Sequence, residues 1–149
     1  MVQGQLFSRI LVAFDGSSSS LAALDVAVEM AKRDKAGLTA VSVSSVPTAI
    51  PLGPGGGGFD KIVSESRKEA KDLADKAKEK AAKGGISIKA EVLNGSNGIA
   101  AAIVNYAEDD KSDLIVMGTR GRTRLKKMLL GSVAQGVVTY APCPVIVVR

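Results

Sequence analysis

The stretch "RILVAFDGSSSSLAALDVAVEMAKRDKAGLTAVSV" (residues 9–43) decides the fold class, because it joins two short apolar runs through one amphipathic segment. The runs at residues 9–14 and 38–43 are rich in β-branched and large apolar residues and do not alternate, which is typical of parallel strands buried on both faces. The segment between them repeats an apolar residue every three or four positions, which predicts a helix with one buried face. Its apolar positions are Leu21, Leu24, Val28 and Ala31.

The ends of this first helix are predicted from residues that commonly begin and end helices. Ser18, Ser19 or Ser20 can cap its start, and Gly37 can end it.

The same alternation of strand and helix continues to the end of the chain. Three more apolar runs follow, at residues 86–92, 113–118 and 144–148, and three more helices are predicted at residues 59–83, 98–109 and 132–141. The run "ISIKAEV" (86–92) alternates apolar and polar residues, as an edge strand does, whereas the other four suit central strands. The sequence therefore predicts a single α/β domain over residues 1–149, with a mostly parallel sheet and right-handed crossovers.

Composition limits the class of protein. The chain has 149 residues, of which 46% are hydrophobic and 23% charged, which is ordinary for one globular domain. No apolar stretch approaches the ~20 residues that span a bilayer, and the start lacks the pattern of a signal peptide. With Cys143 as the single cysteine, an internal disulfide is excluded, and we expect a cytoplasmic protein with no membrane partner.

The charge and the missing residue types narrow the function. A net charge of +5 favours an anionic partner, but aromatic residues make up only 3%, so nucleic acid is not expected to be the main partner. Histidine is absent, and so are a P-loop and a nucleophile elbow, which removes the usual catalytic groups. Slow phosphoryl transfer assisted by a metal ion stays open.

Two glycine-containing loops follow the first and fourth strands, where ligands bind in open α/β sheets. Gly118 permits a sharp turn or a positive φ, and Gly121 permits another or the close approach of a ligand. The amides of Ser132 and Val133 would begin the last helix, and unpaired helix-start amides together with the helix dipole attract anions. Asp15, after the first strand, could accept hydrogen bonds from a ribose or a base.

Each of these features also has a structural explanation. Gly118 could be a strand-end turn, Ser132 a plain N-cap and Asp15 a cap of the first helix. A literal G-x-G-x-x-G occurs at residues 53–58, but "VPTAIPL" separates it from the preceding strand, so it is not the dinucleotide fingerprint. We expect this glycine-rich connection to be either a lid or a loop without a specific function.

The spacing G-x-x-G-x9-G-S, formed by Gly118, Gly121, Gly131 and Ser132, resembles the ATP-binding signature of the universal stress protein family. The segments "ILVAFDGSSSSLAAL", "DLIVMGTRGR" and "LLGSVAQGVVTYAPCPVIVV" resemble the same family, so the resemblance covers nearly the whole chain. It implies an open five-stranded parallel sheet of order 3-2-1-4-5 with helices on both faces. This is a Rossmann-like fold of the adenine nucleotide alpha hydrolase-like type.

The resemblance also implies a ligand and its contacts. The ligand would be ATP, with AMP and ADP as alternatives, and Mg²⁺ or Mn²⁺ would be held mainly through the phosphates. Asp15 would hold the ribose or the adenine, with Ala13 and Phe14 alongside and Val43 against the adenine. The ribose and phosphate path would be lined by Met117, Gly118 and Gly121, with Arg120 near the phosphates, and the phosphates would be bound by Gly131, Ser132 and Val133.

The family further implies a homodimer, paired antiparallel through Val145–Val148, and a stress-response switch that acts on an unknown protein partner. Two alternatives to the switch stay open: a slow ATPase or nucleotide-transfer enzyme, and a nucleotide-independent, chaperone-like interaction protein. The chain departs from the family at Ser42 and Arg120, where many members carry histidine.

Overall fold

Five strands and four helices alternate in the residues that the computed structural model describes, which are 4–45, 57–119 and 130–149. In chain order the elements are β1 (Arg9–Ala13), α1 (Ser18–Asp34), β2 (Gly37–Ser44), α2 (Gly57–Lys83), β3 (Lys89–Asn94), α3 (Ile99–Asp110), β4 (Leu114–Gly118), α4 (Ser132–Tyr140) and β5 (Val145–Val148). The predicted α/β class is confirmed.

The strands form one parallel sheet of order β3-β2-β1-β4-β5, as the family resemblance implied. Strand β1 lies at the centre, where Ile10 is level with Leu38 of β2 and with Leu114 of β4. The prediction that the third strand is an edge strand is confirmed. The prediction of a central position for the last strand from its apolar pattern is wrong, because β5 forms the other edge and its four residues are only half-buried.

Each face of the sheet is covered by two helices. Ile10 and Val12 point into a core closed by α1 and α2, whereas Leu11 points into a core closed by α3 and α4. Successive side chains of a strand alternate between faces, so a strand covered on both sides is apolar at most of its positions. Burying one such Val, Leu or Ile side chain contributes roughly 1.5–3 kcal/mol.

The ends of α1 differ from the prediction. Ser17, one residue before the predicted serines, is the N-cap, and its side chain accepts a hydrogen bond from the amide of Ser20 at 3.2 Å. At the other end Lys35 adopts a left-handed conformation (φ 53°), and Gly37 begins β2 instead of ending the helix.

Helix α2 and strand β3 also begin at different residues than predicted. The helix starts at Gly57, so the last two glycines of the 53–58 segment form its first turn, and the rest of that segment lies outside the described residues. Strand β3 starts at Lys89 and not at residue 86, because the amide of Ile86 donates back to the carbonyl of Ala81 at the end of α2 (3.1 Å). Among the described helices, none is long and apolar enough to cross a membrane.

Candidate functional site

A cleft of about 870 Å³ opens at the end of the sheet formed by the carboxyl ends of β1, β2 and β4. Its floor is made by the strand ends, and its walls come from α2, from the start of α3 and from the start of α4. Parallel strands of a doubly covered sheet expose this end between the helices of the two faces, so the fold itself creates the opening.

One corner of the cleft is the beginning of α4. The amide of Gly131 donates to the carbonyl of Thr119 (2.7 Å), which holds the helix start beside the end of β4. Gly131 is the N-cap, without a side-chain cap, and the first intrahelical bond runs from the amide of Gln135 to the carbonyl of Gly131 (2.9 Å). The amides at positions 132–134 precede that bond, so they have no acceptor within the helix. Ser132 is therefore the first helical residue and not the N-cap.

Gly118 lies between this corner and the start of α1. It is the last residue of β4 and has no positive φ, so of the two predicted reasons for a glycine here, a sharp turn or a positive φ, the second is wrong. The reason is packing, because a Cβ on Gly118 would lie 2.8 Å from the carbonyl carbon of Ser19. The glycine lets α1 approach β4 closely, and it leaves the cleft floor without a side chain at this point.

Asp15 lies where the chain turns from β1 into α1. Its Oδ1 accepts a hydrogen bond from the amide of Ser17 (2.9 Å), and Gly16 between them has φ 83°, which glycine adopts without strain. Because Ser17 caps α1, Asp15 fixes the turn before the helix instead of capping the helix itself.

The ends of β1 and β2 are tied together on the side where the adenine is predicted. The amide of Phe14 donates to the carbonyl of Val41 (2.9 Å), and the carbonyl of Phe14 accepts from the hydroxyl of Ser42 (2.9 Å). Ser42, one of the two positions at which the sequence departs from the resemblance, is thus buried, and its hydroxyl is used in this bond. Phe14 is buried, whereas Ala13 and Val43 are half-buried against the other core.

The structure brings most of the predicted site residues to this one cleft. The predicted residues that line it are Ala13, Phe14, Asp15, Val43, Met117, Gly118, Gly131, Ser132 and Val133. The other two, Arg120 and Gly121, lie outside the described residues, as do the basic side chains at positions 122, 124, 126 and 127.

The wall formed by α2 was not predicted. It contributes Ile62, Glu65, Ser66, Glu69, Ala70 and Leu73 to the cleft. Ser66 fixes this wall to the end of β2, because its hydroxyl donates to the carbonyl of Ser45 (2.8 Å) and lies 3.1 Å from the hydroxyl of Ser44. The spacing of Ile62, Ser66, Ala70 and Leu73 by three or four residues is the signal that could have indicated the buried stripe of the helix.

The cleft has no recognisable metal centre of its own. Within residues 4–45, 57–119 and 130–149, no three His, Cys, Asp or Glu side chains come together as metal ligands. Cys143 lies away from the cleft lining, and burial raises the pKa of its thiol, so it stays protonated at neutral pH and is a poor nucleophile.

Comparisons with known proteins all point to the same family. A family model described as the universal stress protein family matches residues 6–149. Universal stress protein YxiE of Bacillus subtilis is 40% identical over an alignment of 151 positions, gaps included, that covers 97% of this chain and 100% of that protein. Universal stress protein MJ0531 of Methanocaldococcus jannaschii is also 40% identical, over 144 residues that cover 97% of this chain and 83% of that protein.

Solved structures of the same family share the fold. Universal stress protein UspA from Lactobacillus plantarum has a TM-score of 0.80 at 31% identity, covering 96% of this chain and 98% of its own. Two further structures are complexes with adenine nucleotides. A universal stress protein in complex with cAMP has a TM-score of 0.68 at 26% identity, covering 96% of this chain and 97% of that one. The universal stress protein from Archaeoglobus fulgidus in complex with dAMP has a TM-score of 0.73 at 25% identity, covering 97% of this chain and 100% of that one.

Proposed function

The chain belongs to the universal stress protein family, and on that premise we propose that it binds an adenine nucleotide in the cleft at the ends of β1, β2 and β4. The observation that carries the proposal is the uncapped start of α4, whose amides at residues 132–134 adjoin a cleft large enough for a ligand. Two related proteins have been solved with cAMP and with dAMP, which supports an adenine nucleotide as the class of ligand.

The residues present fit such a ligand. A volume of about 870 Å³ lies within the range of about 300–1,000 Å³ that small-molecule sites occupy. The amides of Ser132 and Val133, with the positive end of the α4 dipole, suit a phosphate. Apolar side chains at the other end, including Val43 and Met117, suit a base, and the Asp15 carboxylate suits the ribose hydroxyls.

We propose ATP as the nucleotide, because the G-x-x-G-x9-G-S spacing resembles the signature of the ATP-binding branch of the family. AMP and ADP are the alternatives. Since the described residues offer no ready set of metal ligands, Mg²⁺ or Mn²⁺ would be held mainly through the phosphates. Bound in this way, the metal would neutralise phosphate charge, while the chain itself supplies the amides and the shape of the cleft.

The proposed role is that of a regulatory protein of the cytoplasmic stress response, in which the nucleotide changes contacts with a protein partner. We also propose a homodimer through β5. This strand is an edge of the sheet with four consecutive apolar residues, and an unpaired edge of that kind invites another strand.

The test is calorimetric titration of refolded, nucleotide-free protein with ATP and Mg²⁺ at moderate salt. Refolding removes any nucleotide that copurifies. We expect micromolar binding near one ATP per chain, and stabilisation by about 2.7 kcal/mol at 100 times Kd. Absence of heat together with an unchanged melting temperature would refute nucleotide binding and favour the interaction protein. Turnover of radiolabelled ATP that Asp15→Ala abolishes without unfolding would instead favour the slow enzyme.

A further inference from the structure

One carboxylate that lines the cleft makes no hydrogen bond or ion pair with the residues that the structure describes. Glu65, on the first half of α2, lines the cleft, and within the described part of the chain it has no hydrogen-bond or ion-pair partner. Glu69, one turn further along the same helix, also lines the cleft but has an interaction of its own. Glu65 is therefore the carboxylate of this wall that is available to a ligand.

Glu65 lies at the end of the cleft that is remote from α4. Its neighbour Ser66 is hydrogen-bonded to the carbonyl of Ser45, so this turn of α2 sits directly beside the end of β2. The start of α4 is held to Thr119, at the end of β4. Strand β1 lies between β2 and β4, so two strand spacings, roughly 10 Å in all, separate the two ends of the cleft.

The charges at these two ends orient a nucleotide. The amides at the start of α4 attract phosphates, whereas a carboxylate repels them. The favourable orientation places the phosphates at α4 and the base towards β2 and α2, next to Val43 and Glu65. This step rests on the proposed function, because it assumes that the ligand of the cleft is a nucleotide.

We propose that Glu65 accepts a hydrogen bond from the exocyclic amino group of adenine and thereby selects adenine over a base that carries an oxygen at the same position. A carboxylate only accepts hydrogen bonds. The 6-amino group of adenine donates a hydrogen bond, whereas the 6-oxo group of hypoxanthine only accepts one. With hypoxanthine, the carboxylate of Glu65 and the 6-oxo group would therefore face each other as two acceptors without a proton between them. Because Glu65 is solvent-exposed, we expect discrimination of about tenfold and not the far larger ratios of fully buried polar sites.

The experiment compares ATP with inosine triphosphate (ITP), which differs from it in the base alone, by calorimetric titration of the refolded full chain with Mg²⁺. We expect the parent protein to bind ATP about tenfold more tightly than ITP. Glu65→Gln should bring the two affinities to within about twofold, because an amide can turn its NH₂ group towards the 6-oxo group. The matched control is Glu108→Gln, which removes the same charge from an exposed position of α3 outside the cleft lining and should keep the parent ratio.

Three outcomes overturn the inference. The first is equal affinity of the parent protein for ATP and ITP, and the second is an unchanged ratio in Glu65→Gln. The third uses dATP: if Glu65→Gln weakens ATP but not dATP, the carboxylate binds the 2′-hydroxyl and not the base. In all three the parent protein still binds ATP, whereas failure of the parent protein to bind either ATP or ITP would refute the proposed function as well.

Discussion

Ser19 packs so tightly against Gly118 that no side chain fits between them: a Cβ on Gly118 would lie 2.8 Å from both the carbonyl carbon and the Cβ of Ser19. This contact joins the first turn of α1 to the end of β4, and residues on both sides of it, Ser17 and Thr119, line the cleft. The glycine of the signature is thus required by the fold itself, whether or not a ligand touches it.

Gly118→Ala is therefore expected to destabilise the protein by about 1–3 kcal/mol, because the backbone of α1 must move away from β4. Urea denaturation followed by circular dichroism measures the change. The matched control is Gly58→Ala in α2, where an added Cβ meets nothing within 4 Å and alanine is the better helix former. This control should be neutral or slightly stabilising, and a Gly118→Ala variant as stable as the control would contradict the packing argument.

Gly131→Val is expected to weaken ATP binding at least tenfold while leaving the fold intact. Gly131 has φ −66° and ψ 162°, a conformation that valine adopts readily, and its position at the uncapped start of α4 would bring the new side chain to the proposed phosphate site. Thermal-shift and calorimetric titration with ATP and Mg²⁺ measure the effect.

The control for this substitution is Gly37→Val, the same change at the amino-terminal end of β2, on the side of the sheet away from the cleft. An added Cβ there meets only the carbonyl oxygen of Ser8, at an ordinary 3.8 Å, and β2 begins at this residue, so a β-branched side chain is tolerated. Gly37→Val should respond to ATP like the parent protein. If Gly131→Val did so too, the phosphates would not bind at α4.

The sheet could be predicted from the sequence because strands covered on both faces are apolar at most of their positions. Leu11 and Val12 are both fully buried, yet they face different cores, so an unpaired polar side chain at either position would be costly. The helix cap could not be predicted in the same way, since four consecutive serines are equally able to cap. Tertiary packing makes the choice: Ser19 is buried against Gly118, and Ser17 remains at the turn.

The cleft was predictable only in part, for a similar reason. The residues after β1 and β4 lie at the same edge of any parallel sheet, so Asp15 and the start of α4 could be placed together from the strand order. The wall from α2 depends on how that helix lies across β2. Tertiary contacts such as the hydrogen bond from Ser66 to Ser45 fix this arrangement, and local sequence does not reveal it.

Asp113 joins the beginnings of β4 and β1, and its contribution to stability should depend on pH. Its carboxylate accepts from the amide and hydroxyl of Ser8 (both 2.9 Å) and from the amide of Arg9 (3.0 Å). Burial acts to raise the pKa of Asp113, but these hydrogen bonds outweigh it, so the pKa lies below its ordinary value of 3.8. A carboxyl group with a lowered pKa stabilises the folded state at pH values above its ordinary pKa. This stabilisation is lost as the pH falls through the folded-state pKa.

Asp113→Asn is accordingly expected to cost about 1 kcal/mol at pH 7, since the amide cannot accept from all three donors and these bonds are exposed to solvent. In urea denaturation the deficit should stay constant down to about pH 5 and shrink below the ordinary carboxyl pKa. Asp75→Asn, at an exposed position of α2, is the control and should change the stability by less than about 0.5 kcal/mol at either pH. A deficit for Asp113→Asn that is as large at pH 3 as at pH 7 would show that the charge is not responsible.

The proposed dimer can be tested at a single backbone amide. The carbonyl of Pro144 accepts from the amide of Ile115 in β4, and that of Val148 accepts from Thr119, the residue after β4. By the two-residue period of a strand, the backbone of Val147 therefore faces the open edge of the sheet. Val147→Pro removes an outward donor without removing a bond to β4, and proline is tolerated on edge strands. We expect this variant to be monomeric by analytical ultracentrifugation at concentrations where the parent chain is a dimer.

Val147→Ala separates the backbone effect from the side-chain effect. It removes most of the half-buried side chain but keeps the amide donor, so it should destabilise the fold modestly and remain dimeric if strand pairing holds the dimer. Dissociation of both variants would mean that side-chain packing across the edge, and not antiparallel pairing of β5, joins the two copies. A Val147→Pro variant that stays dimeric would move the interface away from β5 altogether.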